Sequence, residues 1–152
     1  MIEHYSSDVS SKQFHFLKSI MFANFDLNLM RMTPTRLDKG DIVGVQGLAY
    51  KILAAIYIGD QEIVYLHDDG VIRKCSTKDP EIVRITKDNG YDTFCSPIET
   101  SLIVSRALSK VGETEFPVIM IDNEITKQFS PSARFAAWCR HGDNLLKMEY
   151  PC

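Results

Sequence analysis

Ser132, Cys95 and Cys139 are the side chains of this chain whose type and setting suit nucleophilic attack. A hydroxyl or thiol attacks an acyl carbon only when a base stands within hydrogen-bond reach or its own pKa is depressed. Ser132 opens the stretch Pro131 to Gly142, which has the grammar of a short buried helix. Ser130 is placed to cap it, Pro131 fits the first helical position, Phe135, Ala136 and Trp138 form its body, and Gly142 stops it. The free N–H groups and positive dipole end of such a helix favour a thiolate or an oxyanion. Cys139 lies two turns further on, about 10 Å from that end, and reads as a small buried hydrophobe. Cys95 stands just before Ser96, a second candidate cap, where a thiol pKa could fall. His67 is the candidate base, and His141, near a helix C-terminus, suits a structural role with a protonated ring against the dipole.

The elements that must position these residues follow from periodicity. Ser10 to Asn24 has helical spacing through Phe14, Leu17 and Met21, and reads as a flanking helix with a partner- or membrane-contacting segment as the alternative. Strands are expected at Ile42–Val45, Tyr50–Ile58, Glu62–His67, Val71–Cys75 and Glu81–Ile85, with tight turns at Gly59-Asp60-Gln61 and Asp68-Asp69-Gly70. Ser96-Pro97-Ile98-Glu99 reads as a capping box opening a helix that stops at Gly112. Phe116–Ile121 reads as a strand, Asp122–Gln128 as a loop, and Leu145–Tyr150 as a last strand. The fold class is therefore α+β: an antiparallel β-meander packed against two helices of the C-terminal half, with an extra N-terminal helix. Residues 1–36 are expected to form a helical extension and 37–152 the domain proper.

Composition narrows the function classes. The chain has 152 residues and 45% hydrophobic content, enough for one core. Its 17 basic and 20 acidic residues leave a net charge of −3 without a basic block interleaved with aromatics, so no nucleic-acid partner is expected. No apolar run reaches the roughly 20 residues that span a bilayer, and no transmembrane anchor is expected. Cys75, Cys95, Cys139 and Cys152 show neither Cys-x-x-Cys spacing nor a nearby histidine pair, so neither a zinc site nor any other cofactor is expected. A reducing, cytoplasmic setting fits, with peripheral membrane contact as the alternative.

Several segments, in order, resemble one family. They are Gly40-Asp41-Ile42-Val43, Leu53 through Asp60 (Leu-Ala-Ala-Ile-Tyr-Ile-Gly-Asp), Val64-Tyr65-Leu66, Arg106 through Gly112, and Arg134 through Gly142. Together, over roughly residues 37 to 143, they are similar to the lecithin retinol acyltransferase-like family, also called H-box/NC proteins. That family includes phospholipid acyltransferases and some picornavirus proteins, and is a permuted relative of papain-like NlpC hydrolases. The resemblance implies a permuted papain-like fold. It also implies a histidine base on the first long strand, an orienting histidine on the return strand, and a nucleophilic cysteine opening the late helix in an Asn-Cys-Glu-His-Phe motif.

Residue by residue, the reactive groups are replaced. The base position falls on Leu53, the orienting position on Tyr65, and the Asn-Cys-Glu-His-Phe motif on Pro131 through Phe135, so that Ser132 holds the nucleophile position. About ten extra residues separate Phe116 from the late helix. A second register, Asp122-Asn123-Glu124-Ile125, also lacks a cysteine. The expectation is a catalytically inactive acyltransferase-like domain, a pseudoenzyme that binds or regulates a protein partner or a lipid in the former acyl cleft. The alternative is a residual acyltransferase or phospholipase-like hydrolase with relocated residues, using Ser132 or Cys95 with His67. A viral or cell-growth interaction module, docking through residues 10–24, shares the first reading's chemistry.

Overall fold

A computed structural model describes residues 36–48, 52–114 and 129–147 of the chain. The expected N-terminal helix and extension, the Phe116–Ile121 strand, the Asp122–Gln128 loop with its second register, and Cys152 lie outside the described residues.

Five strands form one antiparallel sheet: β1 Ile42–Gln46, β2 Ile52–Gly59, β3 Glu62–Leu66, β4 Ile72–Ser76 and β5 Arg84–Lys87. Among the described residues two α-helices follow, α1 Thr100–Ser109 and α2 Pro131–His141. The α+β class with its helices in the C-terminal half is thus observed. β2 is central, and its near-continuous apolar run is buried on both faces, as such runs predict. Ala54, Ile56 and Ile58 point to the helical layer, joined by Val64, Leu66 and the body of α2. Leu53 and Ala55 point the other way, with Val43, Val45, Ile63 and Tyr65. The β2–β3 turn has Asp60 and Gln61 at φ 53° and 59°, the left-handed pair that a two-residue hairpin of right-twisted strands requires.

The simple meander is corrected at its fifth strand. The sheet order is β4-β3-β2-β1-β5, so β5 pairs with β1 and not with β4. β5 also starts later than the expected Glu81. Residues 77–83 cross the face opposite the helices: Thr77 N donates to Gln61 O and Val83 N to Gln46 O, each at 2.8 Å. Ile82 packs on the Leu53–Tyr65 cluster, which offsets the entropy of ordering the crossing segment. Gly47, at φ +121°, lets this segment pass: a Cβ there would stand 2.1 Å from Glu81 O.

Two further expectations fail at segment ends. The Ser96–Glu99 capping box does not form. α1 starts at Thr100 after Glu99, whose side chain caps nothing. Residues 96–99 are held outside the helix by tertiary bonds, since Ile98 N donates to Arg140 O at 2.8 Å and Asn144 Nδ2 to Ser96 O at 2.9 Å. Residues 145–147 of the expected Leu145–Tyr150 strand belong instead to a 3-10 segment, Gly142–Lys147, running straight on from α2, and residues 148–150 lie outside the described residues. α2 itself matches expectation: Ser130 is the N-cap, its Oγ accepting from Ala133 N at 3.3 Å, and Gly142 ends it at φ 55°.

Candidate functional site

Of the three positions that the resemblance singles out, only Ser132 lies where α2 touches β2; Leu53 and Tyr65 sit on the opposite face of the sheet. Tyr57 N donates to Asp41 O at 2.9 Å, so its backbone groups face β1. Backbone groups alternate sides along a strand, which turns Ala54 N–H away from β1. The paired residues of β3 begin at Ile56↔Val64, leaving that N–H no strand partner. Ser132 supplies one: its Oγ accepts from Ala54 N at 3.1 Å across 78 residues of sequence. Ser132 is 3% exposed, and Ser130 Oγ lies 3.4 Å from its hydroxyl. The hydroxyl at the head of α2 is therefore a buried acceptor that completes the backbone bonding of β2.

Leu53, the residue before Ala54, is 1% exposed and shares the opposite sheet face with Tyr65. An alkyl side chain there can take no proton. Tyr65 is buried, and burial first, with the nearby Cys75, Asp79 and Glu81, pushes its phenol up to about 12. The segment 77–83 thus roofs the face on which both side chains lie. His67 continues that face, its ring centroid 6.1 Å from that of Tyr65. Its Nδ1 accepts from Asp69 N at 3.1 Å in the β3–β4 turn. The imidazole is bonded within its own turn, while Ser132 is bonded to β2 and Cys95 packs in the helical-face core.

The three described cysteines are unactivated, burial raising each thiol above its ordinary value. Cys75, Cys95 and Cys139 are free thiols. The expectation that Cys95 sits at a helix N-terminus is corrected, because α1 begins five residues later and burial pushes this thiol up to about 11. Burial also raises Cys139, which is fully enclosed, against the smaller opposing effect of Arg106 and Lys110. The protonated reading of His141 is overturned too: the ring is 0% exposed, and burial holds its pKa below the ordinary value.

A polar network that the sequence did not announce lies at the other end of α2. Arg140 grips Asp92 with two bonds, Nε to Oδ1 at 3.0 Å and Nη2 to Oδ2 at 2.6 Å, and donates from Nη1 to Gly40 O at 2.8 Å. Asp41 is 5% exposed and accepts from Asp38 N and Asn89 Nδ2, with Lys87 Nζ 3.3 Å away. Asn89 in turn accepts from Ile42 N at 2.8 Å. Gly40-Asp41 thus ties β1, the chain after β5 and the end of α2 together. Its presence in one of the segments that carry the resemblance is the available signal; Asp92, 48 residues from Arg140, offers none.

Among the described residues, no helix is long and apolar enough to cross a membrane, and no group of three or more His, Cys, Asp or Glu is arranged to hold a metal ion. A scan of the chain against protein-family models finds no match.

Proposed function

We propose that this chain is a catalytically inactive domain of permuted papain-like, lecithin retinol acyltransferase-like architecture, and that it works by binding a protein partner. The reading is supported by the α+β topology, with α2 packed on the central β2 and its first turn at Ser132 meeting Ala54. The Leu53 and Tyr65 side chains stand on the opposite sheet face, so neither position could serve Ser132. Inactivity rests above all on one observation. The only polar side chain of the three positions that could attack carbon is 3% exposed and spends its oxygen on Ala54 N–H. Deprotonating it would require a base, and Leu53 is none.

A protein partner is favoured over a lipid in the former cleft because Leu53, Tyr65 and Ser132 are each less than 5% exposed, leaving an acyl chain no surface at these positions. The relocated-enzyme reading would need His67 on Ser132 or Cys95, and each of the three is bonded or packed elsewhere.

The test is an acyl-transfer and phospholipase assay on the full chain with phosphatidylcholine vesicles, beside Ser132→Ala and Cys95→Ala variants. Turnover at the background rate in all three supports the reading. Turnover by the unmodified chain that either variant abolishes would overturn it. Saturable binding of a fluorescent fatty acid, competed by unlabelled fatty acid, would overturn the choice of a protein partner over a lipid.

A further inference from the structure

His141 closes α2 from a position with 0% exposure. Its Nδ1 lies 3.2 Å from Ser96 O, which is an acceptor, so the ring proton belongs on Nδ1 and Nε2 carries a lone pair. Nε2 is buried without a hydrogen-bond partner and stands 3.6 Å from Asp92 Oδ1. Both oxygens of that carboxylate already accept from Arg140. The other groups around the ring are Tyr91, whose ring is edge-on at 5.5 Å, and Asn144, which shares Ser96 O. The Cys95 carbonyl also faces it.

We propose that His141 is a proton-operated latch. Uncharged, it holds the connector 95–99 against the end of α2; on taking up a proton it lets that connector go. A protonated ring would be a charge at 0% exposure beside the Arg140 guanidinium. Asp92 already serves Arg140 with both oxygens, and Asp41 Oδ1, 4.0 Å from Arg140 Nη1, accepts from Asn89, so that charge is poorly solvated. Hydrating the ring relieves that charge, and the bonds lost are local: His141 Nδ1 and Asn144 Nδ2 to Ser96 O, and Ile98 N to Arg140 O. Arg140 keeps Asp92 and Gly40 O, so the sheet and its contact with α2 stay closed. Burial is the largest influence on the imidazole and opposes the charged form. Arg140 adds to it, while Ser96, Asp92 and Cys95 work the other way. The latch is therefore shut at neutral pH and opens below the ordinary histidine value of about 6.5.

Amide hydrogen exchange on the full chain, corrected for intrinsic rates, tests this between about pH 7.5 and about pH 5. The Ile98 amide should lose protection by up to about tenfold per pH unit once below about 6.5, while Ile56 and Val64 keep theirs. His141→Asn retains a donor for Ser96 O without a titrating ring, and should make Ile98 protection independent of pH. Should that variant not fold, NMR titration of the unmodified chain replaces it, with His141 required to titrate below about 6.5 together with the Ile98 change. Unchanged Ile98 protection down to about pH 5, equal loss at Ile56 and Val64, or a His141→Asn protein that keeps the pH response would each overturn the latch.

Discussion

Ser132 sets the behaviour of the candidate site. Its oxygen satisfies a buried N–H, so Ser132→Ala leaves Ala54 N without an acceptor and should cost about 1–3 kcal/mol, measured by urea unfolding at unchanged m. A Ser132→Ala protein as stable as the parent would mean that water or another group serves Ala54 equally well. Ser96 provides the contrast. Its side chain caps nothing and its carbonyl makes the contacts, so Ser96→Ala should stay within about 0.5 kcal/mol. Ser130→Ala, which removes the cap on α2, should cost about 1 kcal/mol. If the two serines rank the other way round, the helix starts are misassigned. Ser96 and Ser130 look alike in sequence, each a serine followed by proline. Contacts from Arg140 and Asn144, more than 40 residues away, decide which one caps.

Among the elements, the β2–β3 hairpin and the crossing segment carry the information. Asp60 and Gln61 both hold positive φ, yet only glycine, asparagine and aspartate adopt that conformation at little cost. Gln61 is exposed, and what bonds Tyr57 Oη is its backbone N–H. Gln61→Gly should therefore raise stability by about 0.5–1 kcal/mol on thermal or urea unfolding. A loss would show that the side chain makes a contact worth more than the strain. Gly47 behaves oppositely: alanine there would meet main-chain atoms of Glu81 and Val83, which no rotamer change relieves. Gly47→Ala should cost well over about 1 kcal/mol, whereas Gly112→Ala, with open space around its Cβ, should cost only its backbone strain. Equal effects at the two glycines would mean that residues 77–83 do not lie across the sheet as described. Strand alternation made β1 to β4 legible, but nothing local reports that β5 returns to β1.

Among the described residues, burial shifts Asp88 and His141 in opposite senses. Asp88 is 6% exposed, and burial pushes it up to about 8 against the Gly90 N–H that favours its charge. Its folded pKa exceeds its unfolded value, so its contribution is complete below about pH 4 and is lost as pH rises toward about 8. His141 has its folded pKa lowered, so its contribution is present above about 6.5 and is lost on acidification. Asp88→Asn should therefore stabilise the chain at about pH 8 and change little at about pH 4, read as the shift in urea midpoint at each pH. Equal shifts at both values would remove Asp88 from the pH response. The sequence alone determined the α+β class, the four strands of the meander and the apolar α2 with its Ser130 cap and Gly142 stop, because periodicity and capping are local properties of neighbouring residues. It also carries the resemblance on which the proposed lack of reactive side chains at Leu53, Tyr65 and Ser132 rests. Only the tertiary structure decided that Ser132 is consumed by Ala54, that residues 77–83 cover the Leu53–Tyr65 face, and that Arg140, Asp92 and His141 converge. Each of those depends on bringing together groups far apart in the chain, where burial alone decides which polar atoms must find one another.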